Sequence, residues 1–255
     1  MSKFKVALVA RDNFPYPTWL QQDLDALSHI DFLLQDCDTP EEIIERAHDA
    51  DVIWVMGGPQ ILKQTDLGRL NRCGAIIRAG SGTDNIPVAE ATRHGIIVVN
   101  TPHALIDQVS DQAIGLLFAV TRQIAFRDRQ MRQGIWDQKA ALTPCKVTGA
   151  TLGLVAFGHI AKMLAKKLSG FDIKVLVYDP YIPAEEIRKQ GAEPVSLEEL
   201  LTRSDIVSLH CPINDQTFHL IGEKQLRMMK PTSVLINTAW GPVVDEKALE
   251  KALKE

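Results

Sequence analysis

Cysteine is scarce and scattered. Cys37, Cys73, Cys145 and Cys211 are the 4 cysteines in 255 residues, and their wide spacing fits neither a disulfide framework nor a zinc site. The 7 histidines show no paired metal-ligand spacing either, so reduced thiols and no bound metal are expected. Positive charge is not in excess. A total of 28 Lys and Arg against 32 Asp and Glu leaves a net charge of −4, which offers no footing for nucleic acid or an anionic membrane. No apolar run approaches the ~20 residues needed to span a bilayer, and Val6–Ala10 is too short for the core of a signal peptide. These absences predict a cytoplasmic chain. Its 45% hydrophobic residues are ample for one large or two medium domains.

What is present is alternation. Lys5–Ala10, Asp31–Leu34, Val52–Met56, Ala75–Ala79 and Ile96–Val99 are short apolar runs. Several are too uniformly apolar for a half-exposed sheet and predict parallel strands covered on both faces. Thr39-Pro40-Glu41-Glu42 reads as a capping box with proline at the first helical position, predicting a helix through Ala47. Asn100-Thr101-Pro102 ends this pattern. A long helix is expected from Ile106 to Phe126, apolar around most of its circumference and therefore buried between domains or subunits. Arg127–Gln138, polar with a lone Trp136, reads as an arm. From Val147 the alternation resumes, with strands near 152–156, 174–178, 206–209 and 233–237. Helices fall at 159–168, 184–190 and Glu246–Lys254, and Ser196-Leu197-Glu198-Glu199 caps another. The Lys166/Lys167 and Glu185/Glu186 pairs read as solvated helix faces. Such alternation predicts an α/β chain of two doubly wound parallel-sheet lobes, 1–100 and 101–255.

The stretch Thr151–Leu168, with Asp179 about twenty residues further on, carries the sharpest signal. Leu152–Ala156 is strand-like, Ala156–Ile160 is a small-residue turn, and a helix follows; a second apolar run then ends on the acid. That is the order of a βαβ dinucleotide site. The turn lets backbone N–H groups approach a pyrophosphate at the positive end of a helix, and the acid accepts hydrogen bonds from a ribose. The glycine pattern is degraded, its three positions reading Ala156, Gly158 and Ala161. An ordinary strand–helix turn could give the same three residues alone; Asp179 after the next strand favours the nucleotide. His159 at the helix start could equally be a cap, and His210 reads as a strand-end residue rather than a catalyst.

Further motifs point the same way. They are Arg78-Ala79-Gly80-Ser81-Gly82-Thr83-Asp84-Asn85-Ile86, Val99-Asn100-Thr101-Pro102, Val177-Tyr178-Asp179-Pro180-Tyr181 and Ser208-Leu209-His210-Cys211-Pro212. Met229-Lys230-Pro231, Ile236-Asn237-Thr238-Ala239 and Gly241-Pro242-Val243-Val244-Asp245 complete the set. In this order they resemble the D-isomer-specific 2-hydroxyacid dehydrogenase family, in its phosphoglycerate dehydrogenase/hydroxypyruvate reductase-like branch. The resemblance implies a flavodoxin-like substrate lobe, a Rossmann NAD-binding domain lacking its last strand, and an active site in the cleft between them. It implies hydride transfer between NAD(H) and a small 2-hydroxy or 2-keto acid. It also implies a homodimer formed through the 106–140 region. Gly158, His159 and Ile160 would hold the pyrophosphate, Phe157 would also lie at the cofactor, and Asp179 would hold the adenosine ribose. An acid there favours NAD, because a 2′-phosphate would be repelled. Cys211, Pro212 and Thr217 would line the adenine and ribose side, and Thr238, Ala239 and Trp240 the nicotinamide end. The amides of Ser81 and Gly82 would receive the substrate carboxylate, glycine allowing the close approach.

The chain departs from the family where chemistry is done. The resemblance implies an arginine that clamps the substrate, a histidine that exchanges its proton, and a glutamate that orients the histidine. Trp240 occupies the arginine position, and indole offers one N–H and no charge. The glutamate and histidine would lie beyond Glu255, so no catalytic residue is expected intact and the chain is read as C-terminally truncated. Its fifth cofactor-domain strand would then be an exposed apolar edge of marginal stability. Met56-Gly57-Gly58 replaces the family's arginine–serine pair, which disfavours a phosphorylated substrate. The expected function is an impaired NAD-dependent dehydrogenase; the alternative is a non-catalytic NAD(H) sensor of corepressor type.

Overall fold

The apolar runs of the first hundred residues form a single parallel sheet. The computed structural model describes residues 3–10, 18–56, 60–137 and 146–255, and the chain divides into two compact units, Met1–Leu105 and Ile106–Glu255. In the first unit the strands are β1 (Phe4–Ala10), β2 (Ile30–Leu34), β3 (Val52–Val55), β4 (Ala75–Arg78) and β5 (Ile97–Asn100). Their spatial order is β2-β1-β3-β4-β5, the flavodoxin-like arrangement. Helices α1 (Thr18–Asp25), α2 (Pro40–Ala47) and α3 (Val88–Arg93) connect them, with two short 3₁₀ turns between β3 and β4.

Ala7, Val9, Ile53, Val55 and Ile76 are buried together with Ile43, Ile44, Ala47 and Ala91 of α2 and α3. Thr39 Oγ1 accepts the Glu42 N–H at 3.3 Å, as the cap predicts. Glu42 returns to the amide of Asp38 rather than that of Thr39, so the box is displaced by one residue. Cover on both faces is not achieved here: Phe4, Leu34, Ile97 and Val99 are exposed. The last three lie on β2 and β5, the edge strands of the sheet.

The second unit begins with α4 (Ile106–Thr121) and α5 (Ile124–Arg132). The single buried helix expected over this stretch is therefore two. Gln123 takes the left-handed conformation at φ 55° and breaks it. Within α4 only Ser110, Ala113, Leu117 and Thr121 are buried, while Leu116, Val120 and the following Ile124 are exposed. Beyond it, Trp136 is 75% exposed, consistent with the arm reading; Gln138 and Cys145 lie outside the described residues.

The sheet of this unit contains β6 (Thr151–Val155), β7 (Lys174–Tyr178), β8 (Glu193–Pro194), β9 (Ile206–Leu209) and β10 (Val234–Asn237), ordered β10-β9-β6-β7-β8. Numbered from β6, that is 3-2-1-4-5, the first five positions of the Rossmann order. Helices α6 (His159–Leu168), α7 (Ala184–Lys189), α8 (Leu197–Arg203), α9 (Glu223–Met228) and α10 (Glu246–Lys254) complete the alternation. All four residues of β9 are buried, which explains its uninterrupted apolar run. A Cβ at Gly153 would run into Leu200 and Ser204, so β6 and α8 touch because residue 153 has no side chain. Ser196 and Glu199 form the full capping box of α8. Among the described residues β10 pairs only with β9, yet Val234 and Ile236 are buried.

One surface reading is corrected. Lys167 is not a solvated side chain: its Nζ donates to Asp111 Oδ1 at 2.7 Å, to Ser110 Oγ at 2.9 Å and to the Asp107 carbonyl at 3.1 Å. It ties α6 to the first turns of α4, and these acids hold its pKa above the ordinary lysine value. Among the described residues, no helix is long and apolar enough to cross a membrane.

Candidate functional site

Parallel strands deliver their C-terminal ends to one rim of the sheet. In the Ile106–Glu255 unit the strand order reverses between β6 and β9, and such a switch point is where open α/β sheets bind ligands. Val155 lies opposite both Tyr178 and Leu209, and Leu209 opposite Asn237. The loops that follow these strands are neighbours: Ala156–Ile160 after β6, Asp179 after β7, His210–Pro212 after β9 and Thr238–Trp240 after β10. Phe157–Ile160, Asp179, Cys211, Pro212 and Thr238–Trp240 thus follow neighbouring strand ends on one rim.

The turn after β6 is built under strain. Ala156 stands where the dinucleotide pattern has its first glycine, at φ 72°, a conformation that costs an L-residue roughly 1–2 kcal/mol. Its N–H donates to the Tyr178 carbonyl at 2.8 Å, holding the turn against β7. Gly158 precedes α6, and no side chain caps the helix. The amides of Ile160 and Ala161 in its first turn therefore face outward with the positive end of the helix dipole. A Cβ at Gly158 would meet nothing within 4 Å. The fold itself does not demand glycine there; the open space suits a close-approaching pyrophosphate.

Asp179 closes the turn from the side. Its Oδ2 accepts the Phe157 N–H at 2.9 Å, and its Oδ1 accepts those of Tyr181 at 2.8 Å and Ile182 at 3.2 Å. A carboxylate has about four lone-pair sites, so capacity remains for a ribose hydroxyl. The bond to Asp179 Oδ2 fixes Phe157. Its amide is occupied by Asp179, its ring is buried, and Lys162 Nζ lies 5.5 Å from the ring centroid. Phe157 anchors the loop. His159 is the exposed first residue of α6.

On the other side of the switch point, His210 donates its backbone N–H to Val155 at 2.9 Å, and its Nε2 is 2.9 Å from Ser208 Oγ. Burial pushes its pKa down to about 4, so the ring is neutral at pH 7. Cys211 is buried and its thiol pKa is raised by that burial. Thr217 Oγ1 donates to the Pro212 carbonyl at 2.6 Å and accepts the Asn214 N–H at 2.8 Å, so Thr217 fixes the shape of the 212–217 loop. A link the sequence did not suggest joins the two sides: Tyr181 Oη donates to Gln216 Oε1. Its only sequence signal is the tyrosine two residues after Asp179.

After β10, Asn237 shapes the turn. Its Oδ1 accepts the Ala239 N–H at 3.0 Å and its Nδ2 donates to the Trp240 carbonyl at 2.9 Å. Thr238 Oγ1 is buried with no hydrogen-bond partner, an orphan donor and acceptor at the rim. Trp240 is 39% exposed and brings an uncharged ring to this end.

The loop singled out in the first unit follows β4. Gly80 and Thr101 exchange two bonds, Gly80 N–H to Thr101 Oγ1 at 2.7 Å and Thr101 N–H to the Gly80 carbonyl at 3.0 Å. Asn100 Nδ2 donates to the Ser81 carbonyl at 2.7 Å. Ser81 is exposed and Gly82 half-buried, and among the described residues neither amide has an acceptor. Gly57 and Gly58 lie outside the described residues.

The family model for the NAD binding domain of D-isomer specific 2-hydroxyacid dehydrogenases matches residues 114–255. The chain belongs to this family. A glyoxylate reductase of Korarchaeum cryptofilum is 39% identical over 250 residues, covering 96% of this chain and 70% of that protein. A D-3-phosphoglycerate dehydrogenase of Methanocaldococcus jannaschii is 38% identical over 218 residues, 85% of this chain. The match spans only 41% of that dehydrogenase. Among solved structures, a D-lactate dehydrogenase from Aquifex aeolicus complexed with NAD and lactic acid superposes with a TM-score of 0.85 at 25% identity. That likeness covers 98% of this chain and 73% of the other. A glyoxylate reductase from Paecilomyes thermophila gives a TM-score of 0.83 at 28% identity, covering 100% and 79%. The β6–α6 turn lies within the residues that this NAD binding domain model matches.

Proposed function

We propose that the chain binds NAD(H) on the rim of the second unit and a small 2-hydroxy or 2-keto acid on the Ser81–Gly82 loop of the first. The reaction class is hydride transfer between the two, at a rate depressed by Trp240. One observation carries this reading: Asp179, at the end of β7, grips the amide of Phe157 immediately before the uncapped Gly158–α6 terminus. When bound, the nicotinamide supplies or accepts the hydride. The residues of the chain do the rest. The Ile160 and Ala161 amides with the helix dipole hold a pyrophosphate, with His159 beside them. Asp179 accepts from a ribose hydroxyl and repels a 2′-phosphate, selecting NAD over NADP. Cys211, Pro212 and Thr217 wall the adenine side, and Thr238 Oγ1 offers its unspent hydrogen bond at the nicotinamide end, beside Ala239.

Trp240 has no positive charge to set beside a developing alkoxide, so it favours binding over turnover. It is also the observation that supports the second reading, a non-catalytic NAD(H)-responsive protein. Titration of the chain with NADH, followed by fluorescence, tests the first claim; Asp179→Ala weakens NADH at least tenfold, about 1.4 kcal/mol. Assay with glyoxylate, pyruvate and hydroxypyruvate separates the readings. Turnover well below the ~1–1000 per second of ordinary enzymes, and raised by Trp240→Arg, supports the impaired dehydrogenase. Tight NADH binding with no turnover in either protein supports the sensor.

Self-association is part of the proposal. Val120, Ile124, Met131, Ile135 and Trp136 are exposed along α4, α5 and the segment after them, and an apolar band of this kind suits a second copy of the chain. The buried, unbridged thiols of Cys37, Cys73 and Cys211 accord with a reducing, cytoplasmic compartment.

A further inference from the structure

Helix α6 carries bases without acids. Its ten residues, His159–Leu168, include three lysines, one histidine and no carboxylate. Elsewhere the chain neutralises its helical bases locally. Helices α2, α5, α7, α9 and α10 each hold an ion pair between residues four apart, and Lys167 is held by Asp107 and Asp111 of α4. Lys162 and Lys166 have no ion-pair partner among the described residues. They stand four apart on one helix, where like charges repel. Lys162 also lies at the end of the first turn, near the positive pole of the helix, where a cation is disfavoured. An anion held between the two ammonium groups relieves both.

The space for it is present. Lys162 and Lys166 border a groove of about 560 Å³ between α6 and the start of β7. Met163, Ile173 and Val175 line it and are only partly buried, and no carboxylate is among its described lining residues. Phe157 stands in its wall, with Lys162 Nζ 5.5 Å from the ring centroid. A volume of this order is that of a small-molecule site. The walls expose far less surface than the ~800 Å² per partner that a stable protein interface buries, so the groove suits a ligand and not another chain. Its chemistry has two parts. Aliphatic side chains that offer no hydrogen bond suit an alkyl chain, and two neighbouring ammonium groups suit a carboxylate.

We propose that this groove is a binding site for a medium-chain fatty-acid anion. The carboxylate lies between Lys162 and Lys166, and the tail runs over Met163, Ile173 and Val175. The inference does not rest on the reading given under Proposed function. The pyrophosphate seat there uses the Ile160 and Ala161 amides, and the carboxylate seat lies further along the same helix.

The test uses the full chain and octanoate as probe, with 1-octanol as its uncharged counterpart. Calorimetry is expected to show saturable octanoate binding, with 1-octanol roughly tenfold weaker. Lys162→Gln combined with Lys166→Gln is expected to weaken octanoate by roughly tenfold and leave 1-octanol unchanged. No saturable octanoate binding by the wild type, or equal octanoate affinity in the wild type and the double variant, overturns the proposal. Acetic anhydride labelling read by peptide mass spectrometry gives a second measure. Octanoate is expected to protect Lys162 and Lys166 and to leave Lys224 and Lys247 unprotected; equal labelling with and without octanoate overturns the proposal. A repeat in saturating NADH is expected to leave octanoate affinity unchanged, whereas its complete loss would put the carboxylate on the pyrophosphate seat and overturn the separate site. Failure of NADH to bind with octanoate binding intact defeats the cofactor reading alone.

Discussion

Two residues at the rim carry energetic signatures that can be measured without any ligand. Ala156 sits in the left-handed region, where glycine pays no steric penalty but loses more freedom on folding. Ala156→Gly is therefore expected to be neutral or up to about 1 kcal/mol more stable in urea unfolding. A loss of more than about 1 kcal/mol would mean that the Ala156 methyl packs to some purpose that outweighs the strain. His210 gives a pH signature. Its folded pKa, near 4, lies below the ~6.5 of an unfolded histidine, so the unfolded state takes up the proton first. Its contribution is constant above about pH 6.5 and stability falls as pH drops from there toward 4, by up to about 3 kcal/mol. His210→Gln should flatten the fall in melting temperature between pH 7 and pH 5. An unchanged slope would show that other groups set the acid limb.

At the scale of elements, Gly153 is where β6 and α8 meet with no side chain between them. Gly153→Val forces apart β6 and α8, and a loss of about 1–3 kcal/mol is expected from thermal unfolding; an unaltered midpoint would mean that Leu200 and Ser204 yield freely. Most elements were legible in the sequence because their signals are local. The residues of α6 and β7 follow directly from apolar spacing and those of α8 from the Ser196–Glu199 box. What escaped is what local signals do not carry. β8 is the pair Glu193–Pro194, too short to show a period. The break at Gln123 follows from a backbone conformation with no glycine to announce it. Lys167 lies 56 residues from Asp111 in sequence, so the bond that makes it a tie rather than a surface charge appears only in three dimensions. The same holds at the rim. The Asp179–Phe157 bond joins residues 22 apart in sequence and is visible only once β6 and β7 lie side by side.

For the whole molecule, the exposed apolar band along α4 and α5 predicts association. Light scattering after size exclusion should give a dimer for the wild type, and Val120→Asp combined with Ile124→Asp should shift it toward monomer. A wild-type monomer at all concentrations up to about 100 μM, about a hundred times a micromolar Kd, would remove the dimer from the account. The central claim is that the second unit is a working NAD(H) site although residue 240 carries no charge. Fluorescence titration of the purified chain with NADH and, separately, NADPH tests it most directly. The account predicts saturable NADH binding, NADPH at least tenfold weaker, and loss of that preference in Asp179→Ala. No saturable binding of either nucleotide by a folded chain would contradict it.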